Sequence, residues 1–194
     1  MDAIHTEDYK GYTIEIYPDE YADSPREWCN LGTMTCWHPK YKLGDFNLYR
    51  SSETPSSWFA ALPKGTIALP MWLYDHSGLS ISTSNGYPYN CPWDAGMVGY
   101  IWATREAILK AYNVKRISPK VKASVLECLR QEVKAYDAFL RGEVYSYVIF
   151  KKCTCDECNH VNSEVIDSCG GFIGDSDYVL SEARSMVDGY KEEE

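Results

Sequence analysis

The densest run of chemically capable side chains is Leu73-Tyr74-Asp75-His76-Ser77-Gly78, continued by Leu79-Ser80-Ile81-Ser82-Thr83-Ser84 and then by Cys91-Pro92-Trp93-Asp94. It gathers an imidazole, a thiol, two carboxylates and several hydroxyls within about twenty residues. An imidazole beside a carboxylate has its tautomer fixed and can take a proton or a metal. Here His76 is a candidate general base, Cys91 a nucleophile and Asp94 an acid-base or metal-binding group. An ordinary reading competes, because Asp-His-Ser-Gly is good turn chemistry and a free cysteine packs as a small hydrophobe. No complete catalytic motif is present, which leaves enzyme and binder both open.

Two further groups carry chemistry. In Ser24-Pro25-Arg26-Glu27-Trp28-Cys29-Asn30-Leu31-Gly32, Arg26 is suited to clamp a carboxylate or phosphate, and Trp28 offers a planar group a stacking surface. The alternatives are that Arg26 pairs with a nearby acid and that Trp28 plugs the core. With Asp75, His76 and Trp93 these residues form a candidate ligand-binding set, on the expectation that the arginine loop and the midsection turn face one hollow. The other group is Cys153-Thr154-Cys155-Asp156-Glu157-Cys158-Asn159-His160, with Cys169 farther on. Cys155 and Cys158 have zinc-knuckle spacing, and Cys153, His160 and Cys169 are candidates for the remaining positions of a structural zinc. Only one CxxC pair is present, so reduced thiols on a hairpin are the competing reading. The glycines of Asp167-Ser168-Cys169-Gly170-Gly171-Phe172-Ile173-Gly174 permit close backbone approach but lack dinucleotide or P-loop spacing.

Elements to position these groups can be read from periodicity. Tyr9–Tyr17 alternates as a strand with Tyr12, Ile14 and Ile16 on one face, and Gly32–His38 is a second strand with Met34, Cys36 and His38 on one side. Ala68–Leu73 and Leu79–Ser82 flank the Asp75–Gly78 turn as a hairpin, and Pro70 argues that its first strand is not central throughout. A short helix is expected near Ser56–Leu62, a strand over Met97–Ala103, and a helix capped by Thr104. Ser118-Pro119 announces the longest helix, with Val121, Val125, Leu129, Val133, Tyr136 and Leu140 in one apolar stripe and Gly142 as its stop. Val144–Phe150 returns as a strand, and Ser176–Gly189 closes as a helix. Strands first and helices late, without βαβ alternation, predict an α+β fold: a mixed or antiparallel sheet with one long and one or two shorter packed helices. The length predicts a single domain over 1–194, with a small Cys-rich hairpin at 151–170.

A net charge of −9 opposes general nucleic-acid binding, which requires clustered Lys and Arg. No apolar window is long enough for a membrane span, and the N-terminus lacks the basic start and apolar core of a signal peptide, so the expected location is the cytosol. There, eight cysteines are expected as thiols or metal ligands. Sixteen tyrosines and six tryptophans suit an interaction surface.

The segments SPREWCNLGTM at Ser24–Met34, YKLGD at Tyr41–Asp45, LYDHSG at Leu73–Gly78, CPWDAGMVGYI at Cys91–Ile101 and DSCGGFIG at Asp167–Gly174 resemble those of a group of proteins of unassigned activity encoded by tailed bacteriophages and prophages. The resemblance implies an accessory protein in the host cytoplasm of an infected bacterium. Its expected role is counter-defence, as a stoichiometric binder that inhibits a host defence protein or sequesters a nucleotide-like signal. The alternative is a hydrolase or transferase using His76, Cys91 and Asp94. No cofactor other than the zinc considered above is implied.

Overall fold

The structure, a computed structural model, describes residues 2–83, 93–154 and 161–190, with the backbone alone at 153, 154 and 161. It is α+β. Where the sequence reading treated 1–194 as one domain, backbone contacts gather it into two compact units, residues 1–23 with 142–194 and residues 24–141.

The first unit holds an antiparallel sheet in the order β1-β2-β8-β9, formed by His5–Tyr9, Tyr12–Pro18, Val144–Thr154 and Val161–Ile173. Helix α4, Ser176–Gly189, buries Val179, Leu180, Ala183 and Val187 against Ile14, Ile16, Tyr147 and Ile149. The expected strand from Tyr9 to Tyr17 is instead a hairpin. Lys10 and Gly11 both take positive φ, 48° and 82°, which makes the two-residue loop whose twist matches that of its strands. Across this loop the inward-facing positions change parity, from Glu7 and Tyr9 to Tyr12, Ile14 and Ile16, a break in the alternation that the reading of one continuous strand passed over.

The second unit carries a mixed five-stranded sheet in the order β4-β3-β7-β5-β6. Its strands are β3 Thr33–Cys36, β4 Phe46–Asn47, β5 Ile67–Asp75, β6 Leu79–Ser82 and β7 Ala95–Ala103, and only the β3–β4 pair is parallel. The expected hairpin is present, β5 pairing with β6 from Trp72–Ser82 to Asp75–Leu79. Ser77 and Gly78 supply its positive-φ turn. Pro70 lies in the half of β5 that, among the described residues, pairs with β7 alone, a place where a strand tolerates a missing N–H. The strand expected over Gly32–His38 is shorter, and His38 falls in the loop beyond it.

Helix α3, Pro119–Leu140, covers one face of this sheet. Ser118 caps it by accepting from the Val121 N–H, and Gly142 at φ 73° follows its last turn. Val125, Leu129, Val133 and Tyr136 pack on Met34, Cys36, Leu69, Met71, Leu73 and Ile101. Each large apolar side chain so buried contributes roughly 1.5–3 kcal/mol. Strand alternation sends Tyr100 and Trp102 to the opposite face. There the short helix α1, Pro55–Ala60, lays Trp58 against Tyr100, Trp102 and Trp37 at centroid distances of 5.9, 5.6 and 5.5 Å. Helix α2, Arg105–Ala111, follows β7 with Thr104 as its cap.

Candidate functional site

Two hollows in the second unit share His38 and Lys40 as a common wall. One, about 370 Å³, is lined by Trp37, Leu73, Asp75, Trp93 and Asp94 together with the start of β7. The other, about 360 Å³, is lined by Pro39, Tyr41, Lys42, Asn47, Tyr49 and Arg50.

The loop between β3 and β4 forms the shared wall, and its own polar groups fix its shape. The Asn47 amide donates to the backbone oxygens of His38 and Tyr41 at 2.9 and 2.8 Å, and its oxygen accepts from the His38 and Tyr49 N–H groups. His38 Nδ1 accepts from the Lys40 and Tyr41 N–H groups at 3.3 and 3.1 Å, while its ring stacks on Tyr41 at 4.9 Å. Two donors at Nδ1 require an unprotonated nitrogen there, so a neutral ring carries its proton on Nε2. Burial holds the His38 pKa below its ordinary value; the Asp75 carboxylate pulls it upward by less, and Lys40 adds to the lowering.

Chemically the two hollows are opposites. Lys40, Lys42 and Arg50 bring three cations to one side, and among the described residues none forms an ion pair. Tyr49 is half-exposed beside them. On the other side stand two carboxylates and two indoles. Asp75 accepts from the Tyr41 hydroxyl at 3.4 Å, and its N–H donates to the Asp94 carbonyl at 2.8 Å. Trp93 is 92% exposed, so most of its ring surface meets solvent at the edge of this hollow.

Of the sequence-derived candidates, Asp75, His76, Trp93 and Asp94 are brought together. His76 Nδ1 lies 3.1 Å from the Asp94 carboxylate, with the imidazole largely in solvent. Cys91 lies outside the described residues. Arg26 does not join them. Its side chain, only 7% exposed, donates to Asp45 through Nε and Nη2 at 3.1 and 2.7 Å, to the Gly32 carbonyl at 2.7 Å and to Glu132 at 3.2 Å. Burial alone would lower its pKa, and hydrogen bonding and charge from Asp45 and Glu132 more than offset that. The expected ligand clamp is therefore a clamp on the chain's own carboxylates, and it ties the loop before β3 to α3. Trp28, half-exposed, lines neither hollow. The expectation of one hollow shared by Arg26, Trp28 and His76 is corrected accordingly.

The zinc candidates divide. Cys155, Cys158 and His160 lie outside the described residues. Along the β8–β9 ladder Cys153 pairs with Asn162, whereas Cys169 pairs with Tyr147, six residues back along β8. At about 3.3 Å per residue this separates the two cysteines by roughly 20 Å, too far for one ion with ~2.3 Å Zn–S bonds. Cys169 is thus not a co-ligand of Cys153. No cluster of three or more metal-ligating side chains occurs among the described residues. The close approach permitted by Gly170 and Gly171 is filled by Asp19, whose carboxylate accepts from the Gly171 N–H at 2.8 Å. Cys36 is unsuited to nucleophilic work, because burial pushes its thiol up to about 12.

The sequence reading missed Lys40, Lys42, Tyr49 and Arg50. A usable signal was present: in a chain of net charge −9, three cations fall between positions 40 and 50 against one carboxylate, Asp45, which Arg26 occupies. Among the described residues, no helix is long and apolar enough to cross a membrane. No family model, curated protein or solved structure matches the chain.

Proposed function

We propose that the chain is a stoichiometric binder that captures a nucleotide-like anion, its phosphates held by Lys40, Lys42 and Arg50 and its base received between Trp37, Trp93, Asp75 and Asp94. The observation that supports this reading is the pair of opposite hollows joined at His38 and Lys40. Cations with no ion pair among the described residues suit phosphate oxygens, and the exposed indole of Trp93 suits the face of a base. Carboxylates accept only, so they favour a base edge that presents adjacent donors, as guanine does at N1–H and N2–H. In this proposal the setting is the cytoplasm of a bacterium infected by a phage, as the resemblance to phage and prophage proteins suggests, and the captured molecule is a host defence signal.

Calorimetric titration with GDP, ADP and pyrophosphate, followed by chromatography of the recovered nucleotide, tests this. Tightest one-to-one binding of GDP, with the nucleotide returned intact, is the expected result. Equal binding of pyrophosphate alone would remove any role for the indole-carboxylate side, and absence of GDP binding would overturn the proposal. A second reading rests on the 3.1 Å contact of His76 with Asp94, an arrangement that orients an imidazole for general-base work in a hydrolase or transferase. Under that reading GDP or another bound ester is consumed at substoichiometric protein, and His76→Ala reduces the rate by about 100-fold or more.

A further inference from the structure

A further hollow of the second unit, about 680 Å³, lies away from the site above and shares no residue with it. It is floored by Ile67 and Ala68 at the start of β5 and walled by Phe59, Leu62, Ile117 and Leu126. Its size falls within the range of small-molecule sites, roughly 300–1,000 Å³. Three polar side chains interrupt the apolar lining: Arg105 at the first turn of α2, Lys122 in the first turn of α3, and Thr66.

Among the described residues none of the three has a partner. Arg105 and Lys122 form no ion pair among the described residues, and no carboxylate lines the hollow. Thr66 Oγ1 is shut off from solvent without any hydrogen-bond partner, a state that ordinarily costs about 1–3 kcal/mol. Gly65, at φ 86°, turns the chain here, and a Cβ at that position would lie 3.0 Å from the Arg105 side chain. The backbone thus makes room for the guanidinium stem beside the hollow.

From these features we infer a second ligand site for a small amphiphilic carboxylate, an acyl or aryl acid. Its apolar body would lie against Phe59, Leu62, Ile117 and Leu126. Its carboxylate would face Arg105 and Lys122. The site commits to an anion because both charged groups are cations in an otherwise acidic protein, and to an apolar body because Phe59, Leu62, Ile67, Ile117 and Leu126 present apolar side chains to it.

Calorimetric titration of the full chain with decanoate, decanol and acetate is the test. Saturable one-to-one binding of decanoate is expected, with decanol and acetate each weaker by at least about 10-fold, the equivalent of one charge-assisted contact. The surface variants Arg105→Gln and Lys122→Gln should each weaken decanoate several-fold and leave decanol unchanged. Decanol binding as well as decanoate, decanoate binding indifferent to both cation variants, or no saturable decanoate binding would each overturn the inference.

Discussion

Replacing Arg26 by Met separates a structural arginine from a ligand-binding one. The guanidinium makes four donor contacts, to Asp45 twice, to Glu132 and to the Gly32 carbonyl, and the Glu132 side chain is only 10% exposed. Without the cation, Glu132 keeps the Leu31 and Gly32 N–H groups and Asp45 keeps the Met34 N–H, but both carboxylates lose their compensating charge. Removing one partner of a buried ion pair costs about 3–5 kcal/mol. Asp45 is 21% exposed and solvent relieves part of its loss, which puts the expectation near ~3–4 kcal/mol. For a chain of this size, at about 2–4 °C per kcal/mol, Tm should fall by roughly 6–16 °C. Urea unfolding followed by tryptophan fluorescence and far-UV dichroism reads the change. Glu132→Gln keeps an acceptor for the two N–H groups and should cost less, and the double variant should be less damaging than the sum by about 1–3 kcal/mol, because the two residues are in contact. GDP affinity of Arg26→Met, measured where it remains folded, should be unchanged. Stability within about 0.5 kcal/mol of the parent together with lost GDP binding would refute the assignment.

Other consequences are separable. Lys42→Gln and Arg50→Gln should each weaken GDP by about 10-fold with no loss of stability, and the affinity should fall as salt is raised; binding indifferent to both would place the phosphates elsewhere. His38 has a folded pKa below its unfolded value, so the unfolded chain takes up the proton first as pH falls. Its contribution to stability is complete above about pH 6.5 and declines between that value and the lower folded pKa; His38→Gln should flatten this limb of a urea-midpoint-versus-pH curve, and an unaltered limb would contradict the assignment. Gly99→Ala should destabilise by at least ~3 kcal/mol, because a Cβ there would sit 2.0 Å from the Thr35 carbonyl oxygen between β7 and β3; a near-wild-type unfolding midpoint would show that the strands can part. Cys169→Ser should leave any bound zinc unchanged by elemental analysis, since Cys169 is distant from Cys153 along the ladder.

Legibility in the sequence followed the range of the interactions concerned. Local signals reported faithfully: Ser118, Thr104 and Gly142 marked helix ends, the stripe from Val125 to Tyr136 marked the face of α3, and Pro70 marked the half of β5 that pairs with β7 but not with β6. The Lys10-Gly11 turn was passed over because Tyr9 stands next to the alternating run, although it faces inward out of phase with Tyr12, Ile14 and Ile16. Partnerships distant in sequence were not legible. Arg26 with Glu132 spans 106 positions, and nothing local distinguishes an arginine awaiting a ligand from one already satisfied by an acid on a later helix. The same limit hid the meeting of Lys40 with Asp75 and Trp93 around one hollow, whereas His76 and Asp94, grouped in the sequence reading, do approach each other. The division into two compact units follows from a sheet completed by strands on either side of a long intervening segment, which composition does not report.

A crystal structure of the protein grown with GDP tests the central claim most directly. The account predicts the diphosphate against Lys40, Lys42 and Arg50, with guanine beside Trp93 and its N1 and N2 edge turned to Asp75 or Asp94. GDP seated away from both hollows, or a diphosphate placed among the carboxylates, would contradict it.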